Sequence, residues 1–193
     1  MWTREALAVR VAAGEKVDFL FFWGHTPRRE GIVDASCLSQ WYPAAFEVDG
    51  VRYTKAEHFR MAAKARLFRD AEACTRILRA RTPAEAKAIG REVQDYEDDA
   101  WEKARASVVV RGNVAKFGQH TPLREFLRRT GKRVLVEASP RDTVWGIGLA
   151  ASNPDARDPA KWRGRNLLGF ALMEARAALG EPRATTRTRA DDE

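Results

Sequence analysis

The sequence predicts an α+β fold, a mainly helical single domain with a small sheet. At 193 residues the chain is long enough to bury one core. Two short apolar runs, at 18–23 and 133–139, predict buried strands, and Asp49-Gly50 between alternating apolar and polar residues predicts a hairpin over 46–53. Helix-start signals recur through the rest of the chain, so we expect helices to outnumber strands.

The helices follow from their caps and from the spacing of apolar residues. Thr3 suits the N-cap of a first helix at 4–13, and Thr82-Pro83-Ala84-Glu85 is a capping box with proline at the first helical position. Thr121-Pro122 starts a helix that ends before Gly131. The other predicted helices begin at 54 or 55 and end near 66, or cover 70–80, 98–117 and 166–179.

Two segments, 25–36 and 140–164, are predicted to be loops because they contain proline and glycine. A loop as long as the second is usually either functional or disordered inside a compact domain. We expect an N-terminal extension at 1–17, a domain at 18–180 and a disordered tail at 181–193, which is rich in Arg, Thr and Asp.

The charge balance is basic: 34 Lys and Arg against 27 Asp and Glu give +7. This favours polyanionic partners such as nucleic acid, nucleotides or phosphorylated metabolites, although many arginine-rich proteins bind no nucleic acid. Cys37 and Cys74 are too few for a disulfide framework or a four-cysteine zinc site. Because no apolar signal segment follows the start and the run at 19–23 is too short to cross a bilayer, we expect a soluble cytoplasmic protein without a membrane partner.

No metal or cofactor is predicted. His25, His58 and His120 lie far apart in the chain and have no Cys or His at ligand spacing, although folding could gather them. The sequence contains no Gly-x-Ser-x-Gly elbow and no Walker loop, and Gly146-Ile-Gly148 lacks the third glycine of a dinucleotide fingerprint.

Glu57 and Lys64 form the first candidate site. They lie about two helical turns apart, so their side chains are predicted to point the same way. A carboxylate and an amine aimed together can do acid–base or covalent chemistry on a sugar carbon. The alternative is a solvated charge pair on an amphipathic helix.

A second candidate site follows the strand at 133–139. Asp142 and Trp145, with Gly146 in the same turn, suit a site where a base stacks and a charge is stabilised. Asp142 could equally form the turn while Trp145 covers the core. Trp101 is a further stacking candidate, although a tryptophan inside a helix is usually a core residue.

A third candidate site precedes the last helix. Arg165, the adjacent glycine and the helix N-terminus at Asn166 together suit a phosphate group. Asn166 suits a plain N-cap equally well.

In their order and spacing, these segments resemble the NADAR family over roughly 18–179. The carriers are short motifs in both halves of the chain: Ser39 in Leu-Ser-Gln-Trp, Val48-Asp-Gly with Tyr53-Thr, Glu57-His58, Lys64, Trp101, Asp142-x-x-Trp145-Gly146, and Asn166-Leu-Leu-Gly169 with Leu172, Met173 and Arg176.

The resemblance implies a NADAR-like fold and an N-glycosidase, a hydrolase acting on N-glycosyl bonds. Some family members hydrolyse phosphoribosylated early riboflavin-pathway intermediates. Others remove ADP-ribose from guanine bases in nucleic acid, in some cases as the antitoxin of an ADP-ribosylating toxin. The implied partners are therefore ADP-ribosylated nucleic acid or a phosphoribosyl metabolite, together with an associated ADP-ribosyltransferase toxin as a further candidate.

The resemblance also implies roles for the matching positions. Glu57 is expected beside the sugar or in water activation, and Lys64 as proton donor to the leaving base or as a Schiff-base amine; these alternatives stay open. Asp142 completes the expected catalytic set. The expected substrate-binding residues at matching positions are Ser39, Trp101, Trp145, Gly146 and Asn166, and Arg165 joins them as the phosphate candidate before the last helix.

Two features depart from the family pattern. Gln40 stands where asparagine is usual, and the stretch 147–163 is expanded and contains Pro154 and Pro159. Because this stretch would border the substrate, the choice of substrate is the property that the family resemblance predicts least well. Two other classes stay open: a non-catalytic ADP-ribose or nucleotide-binding module, and a structural partner of a neighbouring toxin. The Glu57/Lys64 pairing favours the enzyme, since a binding module needs no such pair.

Overall fold

The computed structural model describes residues 2–180. Between these residues the chain forms seven α-helices: α1 (Arg4–Ala12), α2 (Ala56–Leu67), α3 (Ala71–Arg79), α4 (Pro83–Ile89), α5 (Asp98–Gln119), α6 (Thr121–Arg129) and α7 (Leu167–Gly180). The strands are β1 (Phe19–Phe22), β2 (Phe46–Val48), β3 (Val51–Tyr53) and β4 (Val134–Glu137). The predicted α+β, mainly helical fold is confirmed. The predicted tail at 181–193 lies outside the described residues.

Strands β1 and β4 form a parallel pair that joins distant parts of the chain. The register runs from Phe19 opposite Val134 to Phe22 opposite Glu137. All of β4 before Glu137 is buried, as expected for a parallel strand covered by helices. Because the two strands run in the same direction, the segments that follow them leave at one edge, which is where open α/β arrangements place ligands.

Two hydrophobic cores flank the long helix α5. One core surrounds β1 and β4 and includes residues of α6 and α7, and the other lies among the hairpin, α2, α3 and α4. Helix α5 packs against both α2 and α7. Gly112 permits the close approach to α2, since a Cβ there would lie 2.6 Å from the Phe59 ring. Helix α5 is therefore the wall that the two cores share.

Local signals identified the hairpin and the helix starts correctly. Strands β2 and β3 pair antiparallel, and Asp49 and Gly50 between them adopt φ values of 52° and 73°, as a two-residue type I′ turn requires. Thr3 and Thr82 accept hydrogen bonds from the N–H groups of Ala6 and Glu85. The capping box is displaced by one residue, because the Glu85 carboxylate accepts from the N–H of Arg81.

The stretch 140–164 is packed into the first core, which excludes the disordered alternative for this loop. It contains two short 3₁₀ helices, Pro154–Arg157 and Pro159–Lys161. Ile147, Leu149 and Trp162 are buried, and the Trp162 indole donates a 2.8 Å hydrogen bond to the Ala156 carbonyl. Across the described part of the chain, none of the helices is both long and apolar enough to span a bilayer.

Candidate active site

A cavity of about 380 Å³ opens at the carboxyl edge of β1 and β4. Its walls come from the segments after both strands, from the turn at 39–41, and from α2 and α4. The lining residues are Trp23, Gly24, His25, Ser39, Gln40, Trp41, Glu57, Arg60, Lys87, Glu137, Ser139, Asp142, Trp145 and Leu168. The volume is at the lower end of the range for small-molecule sites.

A larger cleft of about 720 Å³ lies at the opposite, amino end of the same strands. Its lining includes Asp18, Val134 and several arginines and lysines, but none of the candidate site residues. We place the functional site in the smaller cavity, because only there do carboxylates, cations and tryptophans of the candidate segments converge. Among residues 2–180, no three His, Cys, Asp or Glu side chains are arranged to hold a metal ion.

Glu57 reaches the cavity from the first turn of α2 and is 1% exposed. Its backbone N–H donates to the Gln40 carbonyl at 3.0 Å. Its Oε1 atom lies 2.5 Å from Nη2 of Arg60, one turn along the same helix. A carboxylate at a helix N-terminus is stabilised by the macrodipole, and a buried carboxylate requires a partner such as this guanidinium.

Arg60 connects α2 to the turn that holds Trp145. Its guanidinium carbon lies 4.7 Å from the centre of the Trp145 ring, within cation–π range. The same guanidinium pairs with Glu57, so Arg60 bridges the carboxylate and the indole along the cavity wall.

Asp142 forms the turn that one alternative predicted, and it also lies in the cavity lining. Its Oδ1 atom accepts hydrogen bonds from the N–H groups of Val144 and Trp145 at 2.9 and 2.7 Å, so it builds the turn. It also lines the cavity. Gly146 is buried behind it, where a Cβ would lie 2.8 Å from the Glu137 carbonyl oxygen, so a larger residue would displace the strand end.

Glu137, the last residue of β4, is the carboxylate with the most perturbed surroundings in the cavity. Its Oε2 atom is buried and has no hydrogen-bond partner among the described residues. Burial raises the pKa of Glu137 to about 7; the negative charges of Asp142 and Glu57 act in the same direction, and Arg60 and Lys87 oppose them.

The rim at Ser39 and Gln40 is held by α5. Lys116 is fully buried and donates from Nζ to the carbonyls of Cys37 and Ser39 at 2.7 and 2.8 Å. The Gln40 amide donates to Oδ1 of Asn113 at 3.0 Å. Burial lowers the pKa of Lys116 to about 7, which makes this amine a structural donor that is costly to charge.

The structure does not bring Lys64 to the cavity. Its Nζ atom donates to the Gly90 carbonyl at 2.7 Å and lies 3.9 Å from the centre of the Tyr96 ring. Glu57 and Lys64 do lie on one buried face of α2, but Arg60 stands between them and only Glu57 lines the cavity. Burial, followed by the charge of Arg60, lowers the pKa of Lys64.

Trp101 and Arg165 also lie away from the cavity lining. Trp101 is a buried residue near the start of α5, which corresponds to the core alternative. Arg165 is exposed and its Nη1 atom lies 2.6 Å from Oε1 of Glu102. Neither position supports the predicted contact with a base or with a phosphate in this cavity.

Asn166 supports the cavity from behind rather than lining it. It is fully buried, its Oδ1 accepts from the Glu137 N–H at 3.0 Å, and its Nδ2 donates to the Leu135 carbonyl at 2.9 Å. Of the predicted residues, the structure therefore gathers Ser39, Glu57, Asp142 and Trp145 in the lining, with Gly146 and Asn166 packed directly behind.

Sequence reasoning missed three charged members of the lining: Arg60, Lys87 and Glu137. Arg60 had a usable signal, because it follows Glu57 by three residues on the same helical face. Glu137 had a weaker signal, a carboxylate ending an otherwise apolar strand. Lys87, on a separate helix, had none.

Comparison with known proteins identifies the family of this chain. The NADAR domain family profile matches residues 21–180. An N-glycosidase of Acanthamoeba polyphaga mimivirus is 36% identical over 163 residues, which cover 82% of this chain and 94% of that protein. A riboflavin biosynthesis protein of Vibrio vulnificus is 33% identical over 144 residues, 75% of this chain but 35% of that protein.

The structural comparison extends the match to the fold. The N-glycosidase YbiA of Escherichia coli is 32% identical over 146 residues, 76% of this chain and 81% of that protein. The NMR structure of Escherichia coli YbiA aligns with a TM-score of 0.66 at 27% identity, and the alignment covers 86% of each chain. By profile, by sequence and by structure, the chain belongs to the NADAR domain family.

Proposed function

We propose that this protein hydrolyses the N-glycosidic bond of a base that carries a ribosyl, phosphoribosyl or ADP-ribosyl group. The predicted enzyme class, a hydrolase acting on N-glycosyl bonds, is confirmed by the relatives that are N-glycosidases. The observation that carries the proposal for this chain is the convergence of Glu57, Asp142 and Trp145 in one cavity.

The carboxylates suit the transition state of this reaction. Cleavage of a C1′–N bond develops positive charge on the sugar and negative charge on the leaving base. Glu57, held by Arg60 at 2.5 Å, offers a fixed negative charge to the sugar and can accept a proton from the attacking water. Glu57 is therefore the proposed catalytic carboxylate, with Asp142 placed beside the base. Lys64 is left out of the catalytic set because its amine is bound to the Gly90 carbonyl.

The aromatic residues suit the base. Trp145 and Trp41 line the cavity, and Trp23 lies at its mouth with 66% of its surface exposed. Stacking a base on such a ring is worth about 1–3 kcal/mol. Asp142 uses Oδ1 for its turn, which leaves its other oxygen to accept from the amide or amino edge of a guanine-like or pyrimidinone base.

Two substrates separate the members of this class. The purified protein is incubated with guanosine-ADP-ribosylated DNA and, separately, with a phosphoribosylated early intermediate of riboflavin synthesis, and the products are followed by mass spectrometry. Release of ADP-ribose indicates a nucleic-acid substrate, and release of ribose phosphate indicates a metabolite. Tight binding without release from either compound would favour the non-catalytic binding module.

Glu57→Gln tests the catalytic assignment. We expect turnover to fall by at least about a hundredfold, because the neutral amide neither stabilises the sugar cation nor accepts a proton. Glu47→Gln is the matched control, since Glu47 is exposed on the hairpin and outside the cavity. Near-normal turnover of a folded Glu57→Gln protein would refute the assignment.

A further inference from the structure

The Glu137 carboxyl is a reactive group that the proposed mechanism has not used. The cleavage still lacks a proton donor, because the Lys64 amine donates to the Gly90 carbonyl and Lys64 is not in the cavity lining. A base that leaves as an anion needs a proton on its nitrogen, and a positioned acid typically contributes about 10²–10⁴ in rate.

The position of Glu137 is fixed on both sides of its backbone. Its N–H donates to Oδ1 of Asn166 at 3.0 Å, and its carbonyl accepts from the N–H of Ile147 at 2.9 Å. Asn166 itself is anchored to the Leu135 carbonyl. Glu137 therefore lines the cavity from a rigid strand end. Its Oε2 atom is buried without a hydrogen-bond partner among the described residues.

The charges around Glu137 come from every wall of the cavity. Helix α2 contributes Glu57 and Arg60, α4 contributes Lys87, and the turn contributes Asp142. His25, after β1, also lines the cavity. Arg60 is engaged by Glu57 at 2.5 Å, so Glu137 lacks the close cation that its neighbour has.

We propose that Glu137 is the general acid that protonates the departing base, a role that rests on the proposed N-glycosidase function. As the C1′–N bond breaks, its electron pair moves to the base nitrogen, which takes the proton of the Glu137 carboxyl. Water adds to C1′ and gives its proton to Glu57, which passes it to solvent. Glu137 then regains a proton from solvent, so the net reaction consumes one water.

Two carboxyl groups of one site thereby have different protonation states in the proposed mechanism. Glu57 is paired with a guanidinium and works as the anion, whereas the half-buried Glu137 has a buried Oε2 atom without a partner and works as the acid. Environments that differ in this way divide acid and base roles in carboxylate-based enzymes generally.

The first arm of the test titrates the group directly. Carbon-13 NMR of glutamate-labelled free enzyme is expected to show one carboxyl that titrates near pH 7 and is missing from Glu137→Gln. Titration of Glu137 in the ordinary range of a glutamate would overturn the proposal, whatever the substrate.

The second arm measures turnover against pH on whichever substrate the wild type cleaves. We expect Glu137→Gln to be slowed at least about a hundredfold and to lose the decline that the wild type shows above about pH 7. Glu137→Ala, which vacates the carboxyl position, is expected to recover activity when formate is added, whereas Glu47→Gln should match the wild type. Circular dichroism and thermal unfolding establish that each variant is folded.

The outcomes separate the two proposals. If the wild type cleaves no N-glycoside, the enzyme function fails and the acid role with it. If the wild type is active but Glu137→Gln keeps its turnover and its alkaline decline, the acid role alone is overturned. Loss of activity in Glu137→Ala without rescue by formate, and with an unchanged pH profile in Glu137→Gln, would assign Glu137 a purely structural role.

Discussion

At the scale of single residues, the cavity is organised by the partners of its charged groups. Arg60 contacts Glu57 and Trp145 at once, so one guanidinium sets the position of both the carboxylate and the indole. Removing either partner of such a buried pair destabilises the protein, because the other charge is left buried and unpaired. The Glu57–Arg60 pair is thus a fixed part of the site rather than a surface ion pair.

Lys64→Met is the residue-scale test of the position of this lysine. We expect turnover to stay near that of the wild type, since the Lys64 amine is bound to the Gly90 carbonyl rather than facing the cavity. The free energy of unfolding should fall by about 1–3 kcal/mol because that carbonyl loses its donor. Steady-state kinetics and urea unfolding measure the two effects.

A large loss of turnover in folded Lys64→Met would restore the catalytic role that the helix spacing suggested. Trapping with borohydride in the presence of substrate would then show whether the amine forms a Schiff base.

At the scale of secondary structure elements, Asn166 and Gly169 explain why the Asn-Leu-Leu-Gly segment starts the last helix. Asn166 adopts φ of 56° and binds two backbone groups of β4. A Cβ on Gly169 would lie 2.0 Å from the Leu135 carbonyl oxygen, so only glycine allows α7 this close to the strand. The contact between α7 and β4 places Glu137 in the cavity.

Asn166→Ala is the element-scale test. We expect the free energy of unfolding to fall by about 2–4 kcal/mol, since two backbone groups lose their partners, and turnover to fall as Glu137 loses its anchor. Asp95→Ala is the control: Asp95 has a similar φ of 51° but is exposed and outside the cavity, so it reports only the backbone strain. Equal effects of the two variants on stability and turnover would contradict the anchoring role.

At the scale of the whole molecule, buried ionisable groups make stability depend on pH. Glu137 has a pKa raised from 4.5 to about 7, so the folded state holds a proton that the unfolded state releases. The stabilisation of the folded state by this protonated carboxyl is fully present below pH 4.5 and is lost as pH rises through about 7. Lys116 has a pKa lowered from 10.5 to about 7, so its burial cost is relieved as pH rises over that range.

Denaturant unfolding at a series of pH values measures how the free energy of unfolding changes with pH for each of the two groups. Relative to Glu137→Gln, the wild type should lose up to about 3 kcal/mol between pH 4.5 and about 7. Relative to Lys116→Met, it should gain stability between about pH 7 and 10.5. Parallel curves for the wild type and a variant would mean that the group concerned does not titrate differently on folding.

Much of the fold was predictable because it rests on short-range chemistry. Asp49-Gly50 requires only the left-handed conformations of its own two residues, and the caps at Thr3 and Thr82 bond to N–H groups three residues away. The site was predictable where a motif and a turn coincide, as at Asp142 and Trp145. The substrate-binding assignments of Trp101 and Arg165 depended on neighbours that no local signal identifies.

The sequence by itself determined the helices, the hairpin, the strand ends and the candidacy of Glu57, Asp142 and Trp145, since spacing decides which side chains share a face. Only the tertiary structure decided that Arg60 separates Lys64 from the cavity, that Lys87 joins the lining and that Glu137 lies half-buried near two other carboxylates. The physical reason is that spacing along a helix says nothing about what packs opposite it. Desolvation and nearby negative charges, which raise the pKa of Glu137, depend on that packing.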